Sequence, residues 1–352
     1  LSYEELYLIN YKSLSSKYEN FKKNEWKSIS IKLNPELIKD IIWKLPYDLT
    51  DHQKIVLFQI LKDMEKTHAM QRLLEWDVWT WKTVVSIIAS IHSIIETNKT
   101  WKKIQVAIMA PTEVLARQHF LWTQDLLFSY WLSSYLLVWS TTKKQKEKLK
   151  IDLKNWNLDI IIWTHALIQE DVIFNNLWFV IIDEQHRFWV KQREVLESWL
   201  WNRSWLIPHS LNMTATPIPR TLALTLYWDQ DLSVISQYPK WRKEIFTKVA
   251  RDWEQRNQIE LFIRNELEKG RQVFWISPLV EESEKIDLAN AIATFESLTD
   301  IFSPFKVWLL HWKMKAKEKE QIMNEFRENN LQILSSTSVI EVWVDVPNAT
   351  IM

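Results

Sequence analysis

Short apolar runs that end in small or polar residues are the feature that most limits how this chain can fold. They read QVAIMAPT (105–112), LDIIIWTH (158–165), FVIIDEQH (179–186) and SLNMTATP (210–217), with segments long enough for helices between them. A strand that is apolar on both faces belongs in a sheet covered on both sides, and parallel sheets with crossover helices are covered in that way. Ligands of such sheets sit at the carboxyl ends of the strands, where the polar residues fall here. A second series follows, RQVFWISP (271–278), VWLLHW (307–312) and LQILSSTS (331–338), again with helical stretches such as AKEKEQIMNEFREN between. Two successive α/β domains are therefore expected, over 45–241 and 242–352. A helical segment precedes them over 1–44, where LSYEELYLINYKSL carries apolar residues at helical spacing.

Composition agrees and excludes several classes. A chain of 352 residues is long enough for two ordinary domains. A hydrophobic share of 47% and a charged share of 25% match a soluble globular protein, and no apolar run reaches the length of about 18 residues that a membrane span needs. The chain has no cysteine, so a disulfide framework and a thiolate metal site are excluded, and a cytoplasmic setting is expected. Lys and Arg total 44 and so do Asp and Glu. No whole-chain positive field exists, and any nucleic-acid contact has to come from local basic patches.

Residues Trp76, Asp77, Val78, Trp79, Thr80, Trp81, Lys82 and Thr83 would form a phosphate-binding P-loop if Trp76 and Trp81 were glycine. The stretch follows apolar Leu73 and Leu74 and opens onto VVSIIASIHSII, the strand, loop and helix context that the motif requires. In such a loop, backbone N–H groups and the positive helix end cradle the phosphates of ATP. Lys82 neutralises the β and γ oxygens, and the Thr83 hydroxyl ligates Mg²⁺. Two indoles would fill the space the phosphates need. The chain holds 23 Trp and a single Gly, and their sum of 24 is close to the roughly 7% glycine, about 25 residues, of an average chain this long. The expectation is that most of these tryptophans stand where the native protein has glycine, through a reassigned codon such as UGA.

About 100 residues further on, FVIIDEQH brings Asp183 and Glu184 to the end of an apolar strand. Acidic residues often end strands, but paired with Lys82 and Thr83 they supply the second half of a nucleotide hydrolase. Asp183 can hold the Mg²⁺ that bridges the phosphates, and Glu184 can orient or deprotonate the attacking water.

The string DEQH, followed by RFWVKQRE and MTATPIPRTLALTLYWDQDLSVI, resembles the RecG family of superfamily 2 ATP-dependent DNA helicases once Trp189 and Trp228 are read as glycine. LPYDLTDHQ (45–53), MAPTEVLARQHF (109–120), WTHALIQEDVIF (163–174), SPLVEESEK (277–285), HWKMKAKEKE (311–320) and TSVIEVWVDVPNAT (337–350) agree in the same order. The resemblance implies two tandem RecA-like domains with parallel sheets, the second incomplete, and a cytoplasmic monomer that uses ATP and Mg²⁺ to move on branched or forked duplex DNA in repair and recombination. It implies that Gln53 lies in the adenine-contacting motif, that Lys82, Thr83, Asp183 and Glu184 bind and hydrolyse ATP, and that Trp76, Trp79 and Trp81 line the phosphates as glycines. Gln185, His186, Thr214 and Thr216 would couple nucleotide state to DNA contact, while Thr112, Glu113, Thr164 and His165 would lie along the nucleic-acid track. In the second domain His311, Thr337, Glu341 and Asp345 fall in its motifs, with Thr337 near the strand and Asp345 toward the nucleotide. Trp275, within RQVFWISP, stands where the family tolerates a large apolar residue and is read as a true tryptophan.

The family continues beyond the equivalent of Met352 into an arginine-rich motif and begins with a domain that binds branched DNA, so a partial motor is expected. The translocase module of a transcription-repair coupling factor is the nearest alternative, and it usually differs at Gln185, His186 and the EESEK segment. A nucleotide-dead DNA-binding scaffold follows if the tryptophans are native, and a metal-dependent nuclease is disfavoured by the P-loop pattern.

Overall fold

A computed structural model describes residues 7, 11, 15, 27–76, 82–100, 103–164, 172, 174–184, 207–214, 230–237, 245–277, 284–311, 314, 316–336 and 346–352. The chain divides into two compact units, residues 1–242 and 243–352.

In the first unit, strands β1 (Gln71–Trp76), β2 (Gln105–Ala110), β3 (Ser134–Leu137), β4 (Ile160–Thr164), β5 (Leu177–Ile182), β6 (His209–Thr214) and β7 (Asp231–Ile235) form one sheet in the order β3-β4-β2-β5-β6-β1-β7. Every pairing is parallel. The four apolar runs are β2, β4, β5 and β6, four of the five interior strands, with β1 the fifth. Each is buried throughout apart from Leu177, whereas the edge strand β7 alternates exposed and buried residues. Near-unbroken burial thus marks these strands as covered on both faces, and weaker patterning marks the edges. The helices are α1 (Pro35–Trp43), α2 (Asp51–Met64), α3 (Lys82–Asn98), α4 (Glu113–Phe128) and α5 (Lys143–Lys154). α3 is buried without a break from Val84 to Ile94, as an all-round apolar helix must be. Four of its hydroxyls are satisfied within the helix, those of Ser86, Ser90, Ser93 and Thr97 donating to carbonyls of Thr83, Ser86, Ala89 and Ser93 at 2.7–2.9 Å.

In the second unit, β8 (Gln272–Ile276), β9 (Val307–Leu310), β10 (Ile333–Ser336) and β11 (Ala349–Ile351) form a parallel sheet in the order β11-β8-β10-β9. Helices α6 (Trp253–Glu268), α7 (Glu284–Ile301) and α8 (Ala316–Arg327) accompany it. Successive strand residues point to opposite faces. Val273 and Ile333 therefore join Ile263, Leu267, Leu298 and Phe302 in one cluster, while Phe274 and Leu334 join Ile322, Met323 and Phe326 in another. Trp275 packs beside Val273's cluster and tilts against Phe302, with ring centroids 6.4 Å apart.

Four helices end in the same way. After α4 the Leu132 N–H donates to the Leu127 carbonyl, after α5 Asn157 to Asp152, after α6 Arg271 to Glu266 and after α8 Asn330 to Glu325, at 2.9–3.1 Å. This six-to-one bond closes a Schellman turn, whose penultimate residue must adopt the left-handed conformation that glycine, and less readily asparagine, accepts. The four residues are Trp131 (φ 56°), Trp156 (φ 63°), Gly270 (φ 80°) and Asn329 (φ 60°). The single glycine of the chain sits at one of them, and two tryptophans sit at others.

Candidate functional site

The carboxyl edge of the first sheet gathers residues far apart in sequence. β4 ends at Thr164 beside Ala110 of β2, β1 reaches Glu75 beside Thr214 of β6, and Asp183 follows β5 with its N–H donating to the Met109 carbonyl at 2.8 Å. Thr164, Asp183, Glu184 and Thr214 are all buried, Asp183 completely. Trp76 ends β1 and Lys82 opens α3, so the strand and helix flanking the P-loop segment are in place.

At this edge one histidine meets two of the expected magnesium ligands. His119 lies on the buried stripe of α4 with Leu115, Ala116, Thr123 and Leu127. Its Nε2 is 2.8 Å from Asp183 Oδ2, and its Nδ1 is 3.5 Å from Thr83 Oγ1. Thr83 stands in the first turn of α3 and Asp183 at the tip of β5, so the hydroxyl and the carboxylate converge on one ring. Both are oxygen donors, the kind Mg²⁺ takes, and that ion characteristically uses one or two protein ligands with phosphates and water completing the shell. The residues present therefore fit the ion. Glu184, next in the chain, has φ 52° and is buried, a strained backbone for a residue with a side chain.

Other expected site residues have local partners. Gln53 is buried and completes a capping box at the start of α2, its Oε1 accepting from the Thr50 N–H at 2.8 Å and its N–H donating to Thr50 Oγ1 at 3.2 Å. Thr112 caps α4, accepting from the Leu115 N–H at 3.3 Å. Glu113 pairs with Arg117 at 2.7 Å and accepts from the Ser140 hydroxyl at 2.6 Å. Partial burial pushes the Glu113 carboxyl up, but the bonds from Ser140 and Arg117 outweigh it and hold it below its ordinary value. His311 follows β9 at the carboxyl edge of the second sheet, half-buried. The side chains of Trp76 and Lys82, and the residues Trp79, Trp81, His165, Gln185, His186, Thr216, Thr337, Glu341 and Asp345, lie outside what is described. His119 was the residue missed. It lies within MAPTEVLARQHF, and its signal was a histidine on the apolar stripe of an otherwise amphipathic helix.

The model of the DEAD/DEAH box helicase family matches residues 50–225, half of the chain, and the helicase conserved C-terminal domain matches 255–352. The chain belongs to the DEAD/DEAH box helicase family. Within that class it is similar to ATP-dependent DNA helicase RecG of Aquifex aeolicus (strain VF5), 42% identical over 350 residues that cover 99% of this chain and 42% of the relative. RecG of Bacillus subtilis (strain 168) is 41% identical over 354 residues, 99% of this chain and 49% of the relative. A solved structure of RecG bound to a three-way DNA junction aligns with TM-score 0.75 at 36% identity, over 99% of this chain and 44% of that one. The chain thus spans about half the length of the curated relatives it matches. No helix among the described residues is long and apolar enough to cross a membrane.

Proposed function

We propose that this chain is the ATP-driven motor of a RecG-type helicase or translocase that acts on branched duplex DNA. The observation that carries the reading is the meeting of Thr83 and Asp183 on the two nitrogens of His119. It joins the first turn of the P-loop helix to the acidic strand end, the pairing that phosphoryl transfer from a nucleotide needs. In this reading Lys82 binds the β and γ oxygens, Thr83 and Asp183 hold Mg²⁺, and Glu184 orients the attacking water. Bound Mg²⁺ neutralises charge that develops on the phosphates. Thr214 and Thr164 neighbour this site and line the route toward DNA with Thr112, Glu113, His165, Gln185, His186 and Thr216, while Gln53 contacts the base. His311, Thr337, Glu341 and Asp345 act from the second domain. The DNA assignment draws on RecG, whose structure was determined on a three-way junction. That similarity also favours RecG over a coupling-factor translocase.

The same reading takes Trp76, Trp79 and Trp81 as glycine in the native protein, because indoles in a P-loop would occupy the phosphate space. Trp131 and Trp156 support it independently, since each stands in a left-handed turn where Gly270 and Asn329 stand elsewhere.

The test is ATP hydrolysis by the native protein with a three-way junction, linear duplex or no DNA. Strong stimulation by the junction is expected, and loss of all hydrolysis in Lys82→Ala. Hydrolysis indifferent to every DNA would remove the motor assignment.

A further inference from the structure

We propose that His119 is the positioning residue of the magnesium site, holding Thr83 and Asp183 in register for the ion. The inference rests on the nucleotide-site reading above. α4 leaves β2, and β2 pairs with β5, so the buried stripe of α4 runs past the tip of β5 where Asp183 emerges. His119 is buried there, and so is Asp183. Chemistry fixes the direction of the first contact. A carboxylate only accepts, so Nε2–H of His119 donates to Asp183 Oδ2 across 2.8 Å. In the tautomer with its proton on Nε2, Nδ1 accepts, and the Thr83 hydroxyl, 3.5 Å away, is placed to donate to it. A Thr83 hydroxyl whose proton points at the ring presents its oxygen lone pairs elsewhere, which is what a metal ligand requires. The same ring fixes the orientation of the Asp183 carboxylate. Without His119 the hydroxyl can rotate and the carboxylate loses a buried donor, so the ion meets an unprepared pair. Groups that orient metal ligands in this way are typically worth about 10- to 100-fold in metal affinity.

The test uses the native protein and a fluorescent, non-hydrolysable ATP analogue, titrated with Mg²⁺ and also measured in EDTA, alongside the Mg²⁺ dependence of ATP hydrolysis. His119→Ala should raise the half-saturating Mg²⁺ concentration by about 10- to 100-fold in both assays while metal-free binding of the analogue stays as it was. His119→Gln, whose amide can still donate toward Asp183, should recover much of that loss. If His119→Ala does not fold, His119→Phe, which keeps the ring's bulk and neither nitrogen, carries the same expectation. An unchanged Mg²⁺ requirement, or a loss shared equally by metal-free binding, overturns the proposal by reducing His119 to packing. Failure of the unsubstituted protein to bind the analogue more tightly with Mg²⁺ would instead overturn the nucleotide-site reading itself.

Discussion

Arg72 and Asp63 form a buried ion pair that ties α2 to the sheet, Arg72 Nε donating to Asp63 Oδ2 at 3.0 Å with Nη2 bonded to the same oxygen. Lys66 reaches Asp63 Oδ1 at 2.5 Å, and Arg72 Nη1 donates to Ser233 Oγ at 2.6 Å, which donates to Gln59. The network therefore joins α2, β1 and the edge strand β7. Burial pushes the Asp63 carboxyl up, yet the bonds from Lys66 and Arg72 together outweigh it and hold it below its ordinary value.

Removing one partner should cost far more than the pair contributes, because the other charge stays in the interior. Arg72→Met is expected to destabilise the first unit by about 3–5 kcal/mol in urea unfolding. Arg72→Met combined with Asp63→Leu should cost less than Arg72→Met alone. A single-variant loss under about 1 kcal/mol would mean that the pair behaves as an exposed one.

Two buried histidines set the response to mild acid. His209 Nδ1 accepts from the Met70 N–H at 3.0 Å and its Nε2 donates to the Ile29 carbonyl at 2.9 Å, while His92 Nε2 accepts from the Asn34 N–H at 3.0 Å. Protonating either accepting nitrogen would break its bond. Burial lowers both pKa values to about 4. In the unfolded chain they return to about 6.5, so between pH 6.5 and 4 the unfolded state binds more protons and stability falls as pH falls. Each histidine costs on the order of 3 kcal/mol at the acid end. Asp63, shifted down, adds its own loss only at lower pH. Melting midpoints should be level above pH 7 and drop between pH 6.5 and 4, and His209→Gln should flatten part of that drop. A midpoint constant over this window would mean that neither ring is held neutral.

Much of this was legible in the residues. The apolar runs marked four of the interior strands because burial on both faces leaves few polar positions to disguise them, and they ended where Asp183 and Thr214 now stand. The edge strands β3 and β7 were harder to read, since β3 is mostly half-buried and β7 mixes exposed and buried residues as a helix face or loop also can. DEQH pointed to chemistry because two acids at a strand end can be read together with the upstream Lys82 and Thr83, and the structure brings Asp183 and Thr83 to one histidine. His119 did not, because a histidine on an apolar helix face usually packs, and its meaning lies in contacts with residues 36 and 64 positions away. Thr112 also carried two meanings in sequence, helix cap and DNA contact, and the cap is what its geometry displays.

The helix ends make the tryptophans testable. A residue with a Cβ in left-handed conformation costs roughly 1–2 kcal/mol, and Trp131 exposes 88% of its surface there. Native peptides spanning residues 131 and 156 should carry glycine mass, as should those spanning 76, 79 and 81. In a chain made with tryptophan, Trp131→Gly and Trp156→Gly should each raise stability by about 1 kcal/mol. Tryptophan mass at 131 and 156 in the native protein would end this reading.

Glu184 separates strain from chemistry. Its φ of 52° puts a buried carboxylate in a conformation that costs about 1–3 kcal/mol, and such strain persists where surroundings hold a side chain on target. If that target is the attacking water, Glu184→Gln keeps the shape and loses the base, so it should bind ATP with Mg²⁺ as before and turn over negligibly. Lys82→Ala should differ by weakening ATP binding as well, because it removes the positive charge that faces the β and γ oxygens. Two further variants isolate the backbone. Glu184→Ala retains a Cβ in the left-handed region and Glu184→Gly does not, so the glycine variant should melt higher while both remain inactive. Melting curves and single-turnover hydrolysis measure the two effects separately. Normal turnover by Glu184→Gln would remove Glu184 from the reaction and leave its backbone conformation without a catalytic reason.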